Sequence, residues 1–282
     1  MLNVFYLVAI ILGISGQSIV KKPYTQRTSG AGVYFFNTLL SAAALLFFVV
    51  TSSKFSFDIS FIPYSIGFAV SFAVSSVFMV LAIAYGSLSL TSLFISYSLM
   101  IPTFYGLIIG DTVSTGFIPG MLLLVISLFL TNKSDEKAKI SLKWIICVFL
   151  SFFGNGMCTV VQKMQQIASN GAYKNEFMIV ALAIVTVVML IMSILKERTE
   201  IKFFAKVGWH WAIICGALNG MVNLFVMILS GKMPVSLMFP LISAGGLIVT
   251  YIVSRFFYKE KLTKIQFIGF IFGLMAVVFL NV

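Results

Sequence analysis

The sequence predicts an all-α membrane protein: ten transmembrane helices in two inverted five-helix repeats. Three observations predict it. Apolar runs of membrane-spanning length follow one another along the chain, charges are scarce and fall between the runs, and the second half echoes the spacing of the first. Hydrophobic residues make up 60% of the 282 and charged residues 10%, against roughly 45–50% and 25% in soluble domains. A water-soluble fold of this composition would expose apolar patches large enough to aggregate.

A bilayer core of about 30 Å is crossed by roughly 20 helical residues, and a continuous apolar run satisfies its backbone in lipid only as a helix. The first run, 3–20, ends at Lys21 and Lys22, and the second, 31–50, lies between Arg27 and Lys54. The third, 63–84, ends at Tyr85-Gly86-Ser87, and the fourth, 88–109, at Gly110-Asp111-Thr112. The fifth, 114–131, runs into the longest polar gap, NKSDEKAKISLK, at the midpoint of the chain. The sixth, 143–162, stops at Lys163, and the seventh, 175–195, is framed by Lys174 and Lys196. The eighth, 208–229, lies between Lys206 and Lys232, the ninth, 234–256, ends at Arg255, and the tenth, 265–281, follows Lys264. Met1-Leu2-Asn3 lacks the basic start of a signal peptide, so the first run is expected to stay in the mature protein.

The midpoint gap divides the chain into a first repeat over 1–132, a polar linker over 133–142 and a second repeat over 143–282. Residues 149 apart match at Gly67 and Gly216, Ser87 and Ser236, Gly120 and Gly269, and Asp111 and Glu260. Residues 141 apart match at Gly13 and Gly154, Ser18 and Thr159, Val20 and Val161, and Lys22 and Lys163. With five helices in each copy, the copies must be inverted across the membrane, an arrangement common in secondary transporters.

The net charge of +11 does not point to nucleic acid, because the basic residues are spread over short connections. Fifteen of the 19 lysines and arginines fall in loops 1, 5, 7 and 9 and four on the other side, which predicts cytoplasmic odd-numbered loops and both termini outside. Cys147, Cys158 and Cys215 lie inside apolar runs and read as small buried hydrophobes. No metal-ligand cluster, nucleophile–base pair or phosphate loop is present, so neither an enzyme nor a cofactor is expected.

Each half carries an acidic turn before its last helix with a glycine early in that helix: GDTVSTGFIPG at 110–120 and KEKLTKIQFIG at 259–269, with Lys259 where the first copy has Gly110. With ten helices in two copies, the chain resembles the drug/metabolite transporter superfamily, specifically its EamA-like family, over nearly its whole length. The resemblance implies a single-bundle metabolite carrier with a central cavity, and it implies no particular substrate.

Polar groups kept inside a bilayer are costly and usually functional. All eight acids lie in loops or at helix ends. The small four-helix relatives that exchange protons for cationic drugs rely on a glutamate buried in the first helix, which this chain lacks. Helix 6 carries Asn155, Thr159, Gln162 and Lys163 as one stripe, and helix 1 carries Gln17, Ser18, Lys21 and Lys22. Helix 8 places Asn219 and Asn223 one turn apart beside Gly216 and Gly220, and the matched helix 3 has Gly67, Ser71 and Ser75. Tyr97 and Tyr251 offer a ring face and a hydroxyl on helices 4 and 9.

The candidate solute-binding residues are therefore Gln17, Ser71, Ser75, Tyr97, Asn155, Thr159, Asn219, Asn223 and Tyr251, with Lys22 and Lys163 as gating charges. Against this stand bland readings: snorkelling for the lysines, packing or interface positions for the tyrosines, and interhelical glue for the amides. The expectation is a monomeric carrier in the plasma or inner membrane, working by alternating access on an amino acid or similar zwitterionic or neutral solute. The alternatives are an aromatic-cage carrier of quaternary amines or drugs, a lipid-linked sugar flippase, and a membrane scaffold without transport.

Overall fold

The computed structural model describes residues 2–52, 55–85, 95, 98, 100–110, 115–131, 141–234, 236–243, 245–246, 249 and 264–280. These form helices α1 (Leu2–Thr28), α2 (Val33–Thr51), α3 (Ile62–Tyr85), α4 (Met100–Ile108), α5 (Phe117–Thr131), α6 (Leu142–Ala168), α7 (Lys174–Lys196) and α8 (Ile201–Ser230), then α9 (236–243) and α10 (Lys264–Leu280). Five of them, α2, α3 with the turn that precedes it, α6, α7 and α8, are long and apolar enough to cross a membrane, and α1 and α5 carry shorter apolar stretches. Large side chains on the outside are apolar: Val50, Ile108, Ile118 and Leu142 are 75%, 82%, 71% and 72% exposed. Such a surface suits lipid and not water.

Several helices outrun the apolar runs that predicted them. α1 continues past the expected end at residue 20 to Thr28, α6 reaches Ala168, and α8 begins at Ile201. Hydropathy falls where the lipid ends, but the helix ends only where its carbonyls find other partners. In α1 the extra turns pass through Pro23 and are secured by side chains: the Thr25 hydroxyl donates to the Lys21 carbonyl (3.1 Å) and the Thr28 hydroxyl to the Tyr24 carbonyl (3.0 Å).

The two turns after the overlong helices have the same backbone. After α1, Ser29, Gly30 and Gly32 have φ of 52°, 80° and 70°; after α6, Asn170, Gly171 and Tyr173 have φ of 50°, 79° and 54°. The hydrogen bonds repeat as well. Gly30 and Gly171 donate to the carbonyls of Thr25 and Gln166, Ala31 and Ala172 to those of Thr28 and Ser169, and Phe36 and Phe177 to those of Gly32 and Tyr173.

Close approaches fix the helix directions. A side chain at Gly13 would meet Val222 and Met221, one at Gly16 Leu218, and one at Gly208 Tyr24, so α1 and α8 run antiparallel. Gly154 lies against Ser71 and Ser75, and Gly67 against Val161, so α3 and α6 are antiparallel too. α2 and α8 are parallel, with Gly216 on Leu40 and Ala43 and Gly220 on Phe47. The start of α5 meets the end of α10 at Gly116 and Phe279. The main apolar core sits where α2, α3, α6, α7 and α8 converge, around Phe48, Phe61, Phe68, Phe177, Leu182 and Met227.

The ends of α2 and α7 are tied by carboxylates. Glu197, just past α7, accepts the backbone N–H groups of Tyr34 (2.9 Å) and Phe35 (2.7 Å) at the start of α2. Where α2 has ended, Ser56 N–H donates to Glu176 in the first turn of α7 (3.3 Å). The two helices are therefore antiparallel. Ser65, in the first turn of α3, donates to the Phe177 carbonyl in the first turn of α7 (3.1 Å), so those two helices start together.

Gly32→Ala is expected to destabilise the protein by about 1–3 kcal/mol, since a side chain there would meet Tyr24 and Phe204 in addition to adopting a positive φ. Gly110→Ala, at φ +83° with nothing within 4 Å, should cost only the backbone term of about 1 kcal/mol. Thermal unfolding of the two variants in detergent checks the order.

Candidate functional site

A chain of four amides joins three helices inside the bundle. Gln162 on α6 donates through Nε2 to Oδ1 of Asn223 on α8 (2.7 Å) and to the Met178 sulfur on α7 (3.7 Å). Asn223 Nδ2 donates to the carbonyl and to Oδ1 of Asn219, both at 2.9 Å. Asn219 Nδ2 in turn donates to Oε1 of Gln17 on α1 (3.2 Å). Gln17 and Gln162 are 8% and 2% exposed, so little water competes for these bonds. An amide left unpaired in such a place would cost a few kcal/mol, on the order of 1–3. That cost is why the side chains find one another.

Of the predicted solute-binding residues, the structure brings together Gln17, Asn219 and Asn223, and adds Gln162 from the helix 6 stripe as their fourth member. Asn155 takes another partner: its Nδ2 donates to the Ser98 hydroxyl (2.6 Å), tying α6 to residue 98 ahead of α4. Thr159 donates to the Asn155 carbonyl (3.3 Å) and Ser71 to the Gly67 carbonyl (2.8 Å), each one turn back along its own helix. Ser75 is paired with Ser151, each hydroxyl donating to the other's backbone carbonyl at 3.2 and 3.0 Å, which locks α3 on α6. Tyr97 and Tyr251 lie outside the described residues, as does the side chain of Lys22.

Lys163 donates to the carbonyl of Ser230, the last residue of α8, at 2.8 Å. A cation there complements the negative end of the helix and satisfies a carbonyl the helix itself leaves open. The bond ties the late part of α6 to the end of α8.

Sequence reasoning missed Ser98, Ser151 and Glu197. Nothing local marks the two serines, whose partners come from helices distant in sequence. Glu197 had a signal: it ends an apolar run beside Lys196 and Arg198, which reads as a solvated loop. The described acids, Asp58, Glu176, Glu197 and Glu200, all lie in loops, in a first turn or next to a helix end. Burial raises the Glu197 carboxyl above its ordinary 4.5, Glu200 pushes the same way, and the N–H groups of Tyr34 and Phe35 and the Ser193 hydroxyl oppose it.

A small cleft is lined by Lys21, Tyr24 and Thr25 of α1, Phe36 of α2 and Met79 and Val80 of α3. Among the described residues no group of three or more His, Cys, Asp or Glu could hold a metal ion.

A folded-state pKa above 4.5 means that the folded protein holds the Glu197 proton more tightly than the unfolded chain does. Stability from this group is therefore present at low pH and lost as pH rises through the raised value. Between pH 7 and about 5, the wild-type melting temperature is expected to rise relative to that of Glu197→Gln. Parallel thermal scans of the two proteins read the difference.

Comparisons with known proteins agree with this architecture. The profile of the EamA-like transporter family matches residues 142–282. A Haemophilus influenzae protein, described only as uncharacterized, is 26% identical over 180 residues, covering 61% of this chain and 58% of that relative's length. A solved crystal structure superposes with a TM-score of 0.77 over 98% of this chain and 95% of that one, at 10% identity, which is a likeness of fold.

Proposed function

The chain belongs to the EamA-like transporter family, within the drug/metabolite transporter superfamily, and we propose that it is a secondary carrier of a small zwitterionic or neutral polar metabolite, such as an amino acid. One observation carries the substrate side of this reading. The buried polar groups joining α1, α6 and α8 are neutral amides, and the described acids stand at the helix ends. A polar solute can exchange hydrogen bonds with such amides, whereas a lone organic cation would find no counter-charge there.

The carrier would work by alternating access between two inverted copies, with α1–α5 matched to α6–α10. Helix directions support the inversion: in the pairs α1/α6, α2/α7, α3/α8 and α5/α10 the two members run oppositely, by the close approaches and end contacts given above. The neighbours support it too. Exchanging each helix for its match turns the α1–α8 contact into α6–α3, and α2–α8 into α7–α3. It also turns the α4–α6 contact into the packing of Ile10 and Ile11 of α1 against Met238, Phe239 and Ile242 of α9 and against Gly245. The matching run of positive φ angles in the two turns, 141 residues apart, favours a duplicated origin for these elements.

In this reading the Asn219–Gln17 bond crosses between the copies, because α1 belongs to one and α8 to the other. Lys163 holds the Ser230 end of the bundle shut from within the second copy, and Lys22 is its counterpart in the first. Asn155, Thr159, Ser71, Tyr97 and Tyr251 would form the wider lining, with Ser75 held in the α3–α6 contact. The protein would function as a monomer in the plasma or inner membrane, with odd-numbered loops in the cytoplasm and both termini outside.

A thermal-shift screen of the purified protein against amino acids, amines and organic acids tests the solute class, since a bound ligand raises apparent stability by mass action. Stabilisation by amino acids is expected, and stabilisation by quaternary amines alone would overturn the reading. In proteoliposomes, Asn219→Leu and Asn223→Leu should lower uptake of the stabilising solute at least about tenfold while lowering unfolding free energy by only about 1–3 kcal/mol. Variants that keep full uptake would remove the amides from the site.

A further inference from the structure

The helices pack as two bodies, and each body mixes the copies. α1 and α2 of the first copy pack on α8 of the second, and α9 packs on α1. α6 and α7 of the second copy pack on α3 of the first, and α4 packs on α6. Exchanging each helix for its match turns one body into the other, so contacts between the bodies can be compared in pairs. α2 against α7 exchanges into itself and carries a carboxylate tie at each end. α2 against α3 exchanges into α7 against α8, and both contacts are made. α6 against α8 exchanges into α1 against α3, and there the symmetry breaks.

On α6 and α8 the contact is closed. Gln162 donates to Asn223, and the next residue, Lys163, donates to the Ser230 carbonyl at 2.8 Å. Ser230 is 2% exposed. The match of Lys163, 141 residues earlier, is Lys22, and the match of Ser230, 149 residues earlier, is Leu81. α1 and α3 touch less extensively than α6 and α8 do. The small cleft lies between them, with Lys21 and Thr25 on one wall and Met79 and Val80 on the other. It stands at the face opposite Ser230. The late turn of α1 at Tyr24 meets α8 near its start, at Gly208, and Ser230 is the far end of α8.

We infer that the structure is the half of the transport cycle closed at the Ser230 face and parted at the other, and that in the opposite half Lys163 releases Ser230 while Lys22 closes α1 on α3 by donating to the open carbonyls of its last turn, 82–85. The inference rests on the carrier reading above and adds which face is closed, which helices part and what each lysine grips. In an inverted repeat one state becomes the other when the two copies trade conformations. A contact made on one side only is therefore the contact that changes. The last carbonyls of a helix lack partners within it and form its negative end, so a lysine on a flexible stem can take one and leave it again. The α2–α7 contact serves both states unchanged in kind, which makes it the pivot.

The experiment places single reporters, Met79→Cys on the cleft wall and Ser230→Cys at the closed face, in the full chain in lipid nanodiscs. Labelling by a membrane-impermeant maleimide is timed, with the parent protein and its three buried cysteines as the blank. Met79→Cys should label faster than Ser230→Cys, and the reverse order overturns the assignment of the state. The decisive readings are at the face each lysine does not touch. Lys22→Met should slow Ser230→Cys about two- to fivefold, the factor that a cation at a helix end is worth, and Lys163→Met should slow Met79→Cys. Melting temperatures of the variants serve as the folding control. A lysine that alters only the reporter at its own face, or neither reporter, overturns the exchange of gates. If the wild type still takes up solute in proteoliposomes, that result leaves a carrier in place, whereas no uptake of any amino acid, amine or organic acid overturns the carrier reading itself.

Discussion

The hydrogen bond from the Asn223 side chain to the Asn219 carbonyl is the constraint on which the polar interior depends. It is a local contact, one turn back along α8. Its consequence is not local. In a bundle bounded by lipid these amides find their partners among protein neighbours, so fixing one nitrogen fixes the next. The assignment runs outward from α8 to Gln162 on α6 and to Gln17 on α1. A buried network usually leaves its amide orientations open; here a backbone atom closes the question.

The apolar packing brings those amides within reach. Gly13 and Gly16 let α1 settle on α8 at Val222, Met221 and Leu218, the same stretch that carries Asn219 and Asn223. Gly216 and Gly220 let α2 approach α8 from another side, against Leu40, Ala43 and Phe47. α8 is thus enclosed by glycine-mediated contacts, and the faces that remain carry its amides toward α1 and α6. The carboxylate ties at Glu197 and Glu176 hold α2 and α7 together at both ends. Among the described residues, the carboxylates stand at the edges of the fold and the amides in its middle.

The helices themselves were legible from hydropathy, because only a helix satisfies its backbone in lipid. Their ends were not, because α1, α6 and α8 continue beyond the bilayer-length apolar stretch on side-chain bonds such as Thr28 to Tyr24. The cost of an intramembrane amide made Gln17, Asn219 and Asn223 legible as a group. Their partner Gln162 was visible only as one member of a stripe, since its choice of Asn223 over Asn155 depends on how α6 meets α8. Ser75 reads from sequence like a hydroxyl free to meet a solute, and it is spent on Ser151 because Gly154 lets α3 and α6 come close enough for both serines to reach the other backbone. Lys163 reads from sequence as a gating charge at the end of the helix 6 stripe, and its partner is the helix end at Ser230.

If the four amides act as one directed chain, Gln17 and Gln162 influence each other although no bond joins them, since each bond polarises the next. A double-mutant cycle on unfolding free energy with Gln17→Met, Gln162→Met and the double variant measures that coupling. The account predicts a coupling above the additivity limit of about 0.3–0.5 kcal/mol, with the double variant losing less than the sum of the single variants. Strict additivity would contradict it, leaving two separate pairs, Gln17 with Asn219 and Gln162 with Asn223, that happen to share a helix.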